Sequence, residues 1–167
     1  MPLNLSHRLV LTSTDRLARS LQRASRDGFL KDGAKGWERP DIISLNAWLE
    51  REWADSWAEM APAPDLLRLA LWKRIVDECP PPEPLEGGPS LYHSLDNACR
   101  VLIRHRINAG TGFPSTALVE WRRSACRLFF SRLTEKGLFH PAETVLHVHR
   151  AIEEGAISPP ESCAILG

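Results

Sequence analysis

Three short apolar runs, widely separated along the chain, constrain its fold more than any other feature. They are RLVLT at 8–12, DIISL at 41–45 and CAIL at 163–166. Runs of this length with β-branched content are too short for helices and read as buried strands. One helical pattern separates the first two, which is the connection that parallel neighbours require. The chain therefore reads as an α/β protein built on a parallel sheet of three short strands, and not as an all-α bundle. The interval 46–162 is too long for one crossover and carries several helical patterns. It reads as a large helical subdomain inserted into the sheet, so the protein is mostly α by residue count. The expected division is an α/β core segment over 1–60, an inserted helical subdomain over 61–155 and a return strand within 156–167. A buried parallel strand followed by the single Gly167 reads as the N-terminal piece of a longer protein.

The helical patterns have clear punctuation. Ser13, Thr14 and Asp15 follow the first strand and open a helix over 14–26. Leu17, Leu21 and Ala24 share one face of it. Arg16, Arg19, Arg23 and Arg26 share the other, within an arc of roughly 80° at helical pitch. Three glycines and a proline make 27–40 a loop. Ser44 or Asn46 caps the next helix, which carries Trp48, Leu49, Trp53 and Trp57 until APAP at 61–64 breaks it. Asp65 caps a helix ending near Cys79, with Leu67, Leu71, Ile75 and Val76 inward and Trp72 beside them. PPPEPLEGGP at 80–89 is a linker. Helices over 90–108 and 115–136 flank a Gly-Thr-Gly-Phe-Pro turn. Leu91, Leu95, Ala98 and Leu102 line the first, and Leu118, Trp121, Ala125 and Phe129 line the second. Gly137 is the expected C′ residue. Pro141 sits at N1 of a helix running to about Glu154.

The formal net charge is zero, with 21 basic and 21 acidic residues, which taken alone argues against a nucleic-acid binder. The charge nevertheless comes in blocks. Residues 1–39 carry net +4, 40–99 carry −7, 100–136 carry +6 and 137–167 carry −3. Of the basic residues 17 are Arg, which reads mainly as the coding bias of a GC-rich genome, although Arg also suits bidentate phosphate contacts. Cysteines stand at 79, 99, 126 and 163, with no CxxC pair and no zinc spacing. They fit a reduced intracellular protein. No signal-peptide h-region and no apolar run of membrane-spanning length occurs. The expectation is a soluble, cytoplasmic protein with no membrane association.

Catalytic signatures are scarce. Neither GxxxxGK[ST] nor GxGxxG occurs, so no phosphate-cradling loop and no nucleotide cofactor is expected. Pro40-Asp41 matches the first half of a PD…(D/E)xK nuclease site, but Glu50-Arg51-Glu52 supplies no lysine and lies on a helix. Asp41 reads as a strand-edge residue. His147 and His149 are two apart on a helix and diverge. Glu143, His147 and His140 form at best an incomplete metal set, and helix-surface histidines are the simpler reading. No nucleophile elbow occurs. No catalytic residue, cofactor or metal is assigned.

The arginine stripe is the sharpest local feature. Hydroxyls of Thr12, Ser13 and Thr14 at a helix N-terminus suit phosphate oxygens, and Arg16 and Arg19 would extend such a site. The same face also reads as an ordinary solvated helix surface. A second basic set comprises Arg100, Arg104 and Arg106 on one helix and Arg122, Arg123 and Arg127 on the next. The two would merge into one patch only if those helices pack suitably. Of the six tryptophans, Trp48, Trp53, Trp72 and Trp121 have the spacing of core residues rather than of base-stacking platforms. Trp37 is less determined.

The segments LVLTSTDRLARSLQRA and WERPDIISLNAWLEREW together resemble the N-terminus of the bacterial inactivated superfamily I helicases. These are AddB-like DNA repair proteins that often carry a C-terminal PD-(D/E)xK nuclease domain. The pattern runs over Thr12 to Arg19, Trp37 to Ile42 and Ala47 to Trp53. Weaker similarity continues through LVEWRRSACRLFFSRLTEKGLFHPAE, and CAILG is similar to the family's Walker B strand. The resemblance covers the whole chain but is specific only over its first 55 residues or so. It implies a partial P-loop-NTPase-like sheet and a T-x-T segment that contacts single-stranded DNA backbone. The chain departs from the pattern in lacking the Walker A lysine, a Walker B acidic residue and the nuclease domain. The resemblance therefore implies a non-catalytic module of a DNA repair or recombination protein. Its DNA-binding residues would be Thr12, Ser13, Thr14, Arg16, Arg19, Arg23 and Arg26. The partners implied are single-stranded or duplex-end DNA and a helicase–nuclease partner subunit. The alternative is a scaffold for that subunit without DNA binding.

Overall fold

A computed structural model of the chain describes residues 9–31, 40–83, 88–107 and 116–167. The protein is a mixed α/β chain with a small parallel sheet of three strands. The chain divides into two compact units, Met1–Trp57 with His147–Gly167, and Ala58–Leu146.

In the first unit β1 (Leu9–Thr12) lies between β2 (Ile42–Ser44) and β5 (Cys163–Leu166). Both pairings are parallel, with Leu11 opposite Ile43 on one side and Ile165 on the other. A central parallel strand needs cover on both faces, and β1 has it. Val10 packs with Ala18 of α1 (Asp15–Lys31) and with Ile42, while Leu21, Ala164 and Leu166 close around them. On the opposite face Leu11 packs with Trp48 and Leu49 of α2 (Leu45–Asp55) and with Val148 and Ala151 of α6 (Thr144–Glu153). The unit is thus layered helix, sheet, helix.

Ser44 resolves which residue starts α2. Its hydroxyl accepts the Ala47 N–H at 3.3 Å and donates to the Asp15 carboxylate. One buried side chain therefore ends β2, caps α2 and holds the first turn of α1. Gln22 adds a second tie, donating to the Ile42 carbonyl at 2.6 Å.

Several local readings change. Helix α1 continues past Ser25 and Arg26 to Lys31, so Gly28 is helical rather than in a loop. Its Cα faces open space, and one solvent-side glycine costs only about 1 kcal/mol in a helix. Ala18, not Ala24, goes inward, because the buried sector centres on Leu21 and Ser25, at the far side from the arginines. Arg8 and Trp37 lie outside the described residues, as do 108–115, where one helix was expected to end and the next to begin.

The second unit holds α3 (Asp65–Glu78), α4 (Pro89–Arg104) and α5 (Ala117–Glu135). Its core joins Leu71, Trp72 and Ile75 of α3, Leu95 and Cys99 of α4, and Trp121, Ala125 and Phe129 of α5. Trp72 stacks on Phe129 with ring centroids 4.3 Å apart. The Trp121 indole N–H donates to the Cys79 carbonyl at 2.7 Å, satisfying the end of α3. A short parallel pair, β3 (Ala61–Pro62) with β4 (Leu138–Phe139), has no counterpart in the sequence pattern. Two-residue strands carry no periodicity to read. Gly137, at φ 67°, is the C′ residue of α5 as expected, and Pro141 opens a single 3-10 turn ahead of α6.

Trp57 is the sharpest departure. Its spacing predicts a place on α2, but the helix stops at Asp55 and Ser56 caps it, its hydroxyl donating to the Trp53 carbonyl at 2.7 Å. Trp57 then takes the left-handed C′ position at φ 53° and is 93% exposed. A glycine normally fills that position because a Cβ there costs about 1–2 kcal/mol. Trp57→Gly is therefore expected to raise stability by about 1 kcal/mol, read as a higher urea midpoint at unchanged m-value.

Candidate nucleic-acid interface

Helix α1 presents its arginines as the sequence periodicity requires. Arg16, Arg19, Arg23 and Arg26 are all exposed. They span about 15 Å of helix axis, ten residues at 1.5 Å rise. Arg26 pairs with its exposed neighbour Asp27 at 3.4 Å. Among the described residues Arg16, Arg19 and Arg23 have no ion-pair partner.

The hydroxyl cluster at the N-terminus of α1 is differently placed. Thr12 is buried at 1% exposure. Its hydroxyl donates to the Thr14 carbonyl at 2.9 Å and lies 3.4 Å from the Ile43 carbonyl. The Thr14 hydroxyl caps α1 by accepting the Leu17 N–H at 3.2 Å. Ser13 is exposed, and its N–H donates to the Leu166 carbonyl at 3.2 Å. The Asp15 carboxylate occupies the first turn, where it already complements the helix dipole. The helix N-terminus is thus satisfied from within, and an anion would meet the arginines along the shaft instead.

The second basic set is dispersed. Arg122 and Arg123 of α5 line a cavity of about 170 Å³ with Leu95, Ala98 and Leu102 of α4 and Val119 and Cys126 of α5. Arg100 reaches back to Asp96 at 4.0 Å, and Arg127 lies 3.4 Å from Ser124. Arg104 and Arg106 are exposed, beyond the cavity. Trp48, Trp72 and Trp121 are buried in the cores, and Trp53 packs on His147 with centroids 5.2 Å apart.

The weaker chemical candidates have structural employment. Asp41 pairs with Arg51 at 3.1 Å on the surface. Glu143 accepts the His140 backbone N–H at 3.0 Å in a capping box. His149 lies 3.4 Å from Glu153. Among the described residues no group of three His, Cys, Asp or Glu side chains is disposed to hold a metal ion.

A buried charge cluster in the second unit was missed. Arg68 of α3 and Asp96 of α4 are each 4% exposed. They form a two-pronged pair, Nε to Oδ1 at 2.9 Å and Nη2 to Oδ2 at 3.0 Å. Arg68 also donates to the Ala63 carbonyl at 2.7 Å. The His140 ring, 1% exposed, accepts the Ala142 N–H on Nδ1 and turns Nε2 to within 3.4 Å of Asp96 Oδ1. The signal was present: Arg68 stands in helical phase with Leu71, Trp72 and Ile75, and Asp96 beside Leu95 and Cys99. Burial alone would raise the Asp96 carboxyl, but the facing His140 ring and the hydrogen bonds and charge of Arg68 hold it well below the usual carboxylate range.

That depression has a definite sign. The folded state keeps Asp96 ionised at pH values where the unfolded chain protonates it, so its contribution is full above the unfolded pKa of about 3.9. It is lost as pH falls from there towards the lower native value. Asp96→Asn is expected to cost about 3 kcal/mol at neutral pH, since it removes the buried counter-charge of Arg68 and leaves it the exposed Asp65 carboxylate at 3.0 Å. It should also flatten the acid side of the stability–pH curve, measured by urea titrations between pH 7 and 3.

Compared with known proteins, the chain matches no family model, no curated protein and no solved structure. What its structure defines is a class: a mixed α/β protein with a small parallel sheet and an exposed arginine stripe on the helix that follows the central strand. Among the described residues no helix is long and apolar enough to cross a membrane.

Proposed function

We propose that the chain is a non-catalytic, degenerate helicase module that contacts single-stranded DNA backbone through α1. The observation that carries this reading is the row of exposed arginines on one face of α1, directly after the central strand of a parallel sheet. The resemblance of the segments around Thr12–Arg19 and Ala47–Trp53 to inactivated superfamily I helicases supports it. So does the order of the sheet, with a strand from a distant segment, β5, beside β1. Contact through arginines alone would be sequence-independent, because phosphates carry no base identity.

Arg16, Arg19 and Arg23 are the principal contacts in this reading, with Arg26 shared with Asp27. Ser13 and Thr14 flank them, and Thr12 serves the strand–helix junction instead. Fluorescence anisotropy with a single-stranded oligonucleotide should show binding at low salt that weakens as salt rises. Arg16→Glu with Arg19→Glu should weaken it and reduce the slope of log K against log salt by about 1.4, as loss of two single-strand phosphate contacts requires. Unchanged binding by this variant, or none by the wild type at low salt, refutes the proposal.

A second reading makes the same module a scaffold for a partner helicase–nuclease subunit without DNA contact. It is favoured by Ile165, which is 78% exposed on β5, an outer strand of the sheet. An exposed apolar edge is a template for strand addition. This reading predicts no anisotropy change with DNA at any salt concentration and co-purification with the partner subunit.

A further inference from the structure

The cavity between α4 and α5 has a thiol pair in its floor. Cys126 lines it, and Cys99 lies beneath at 0% exposure, with the two Sγ atoms 3.7 Å apart. A disulfide needs about 2.05 Å between sulfurs, so the pair is in van der Waals contact but not bonded. The two cysteines are 27 positions apart and on different helices. Two features distinguish the pair from ordinary core cysteines. One cysteine, Cys126, lines an open space large enough for a small molecule, and that space is walled by the cations Arg122 and Arg123.

We propose that Cys99 and Cys126 form an oxidisable dithiol, a modification site whose reactant is a peroxide and whose product is a disulfide joining α4 to α5. Cys126 is the attacking sulfur, since it alone borders the cavity. The contact with Cys99 and the nearby Arg122 charge hold the Cys126 thiol below its ordinary value, against burial that opposes this. The contact with Cys126, burial and the adjoining negative charge push the Cys99 thiol up. The two cysteines thus have unequal roles, nucleophile and resolving thiol.

The chemistry closes without another reactant. The Cys126 thiolate attacks one peroxide oxygen, an S–O bond forms, the O–O bond breaks, and hydroxide leaves and takes a proton to become water. Cys126 is then a sulfenic acid. The Cys99 sulfur attacks it, the S–S bond forms, the S–O bond breaks, and a second water leaves with the Cys99 proton. Two thiols lose two electrons and one peroxide becomes two waters. The product closes a loop that contains the 100–125 segment and pins the two helices at the cavity floor, which constrains the unfolded chain.

The exposed Cys79 and Cys163 provide an internal comparison. The full chain is treated with limiting hydrogen peroxide, alkylated under denaturing conditions and mapped by mass spectrometry without reductant. The expected result is a peptide pair joined through Cys99 and Cys126, with parallel loss of alkylation at both and restoration by dithiothreitol. The melting temperature should rise on oxidation and fall back on reduction. Cys99→Ser should leave Cys126 as a sulfenic acid that dimedone captures, and Cys126→Ser should leave Cys99 reduced. The proposal is overturned if Cys79 and Cys163 oxidise while Cys99 and Cys126 remain thiols, or if the disulfides found involve Cys79 or Cys163. The wild-type map decides this even if a variant fails to fold, and it is independent of any DNA contact.

Discussion

Strand β1 is the constraint on which the first unit depends. It is the one strand of its sheet with neighbours on both sides, Ile42–Ser44 and Cys163–Leu166. Pairing Leu9 with Cys163 closes a very long loop, yet the entropic cost of closure grows only with the logarithm of length, about 0.6 kcal/mol per doubling. A long helical excursion between β2 and β5 is therefore tolerable once the strand is buried on both faces. Val10 and Thr12 are buried on the α1 side and Leu11 on the side of α2 and α6. Loss of either cover would leave ladder hydrogen bonds exposed and the apolar strand wet.

The second unit is organised differently. Apolar packing of Trp72 on Phe129 supplies area, whereas the pair of Arg68 with Asp96 supplies direction. A buried pair gains little net energy over an apolar substitute, but breaking it takes from Arg68 its buried counter-charge and leaves it the exposed Asp65 carboxylate. The Arg68 guanidinium satisfies Asp96 and the Ala63 carbonyl together, so it ties α3 to α4 and to the end of β3. Helix α4 also carries Cys99, whose contact with Cys126 reaches across to α5.

Much of the element order was legible. The strands at 9–12, 42–44 and 163–166, the arginine face of α1, the Gly137 terminus and the Pro141 start follow from short-range chemistry. Apolar runs, helical period and turn residues are local signals, and the fold honours them. The failures have a common cause. Trp57 looks like a helical core residue by spacing, but Ser56 caps the helix one position earlier. Ala24 and Ala18 are indistinguishable by composition, and only the sheet beneath α1 selects Ala18. Thr12 reads as a ligand-facing hydroxyl until two backbone carbonyls claim it.

The amino-acid sequence by itself determined the three strands of the main sheet, the main helices and the arginine stripe, because each is set by residues within one or two turns of one another; the parallel pairing, which joins Leu9 to Cys163, followed only from the long helical connections. It also determined that the zero net charge is a balance of blocks, so that one helix face can be basic on a neutral chain. Tertiary structure alone decided which hydroxyls are spent internally, that Arg68, Asp96 and His140 converge, and that Cys99 touches Cys126. The charge cluster and the thiol contact join residues 27 or more positions apart. Their distances depend on how helices pack, which no local period encodes.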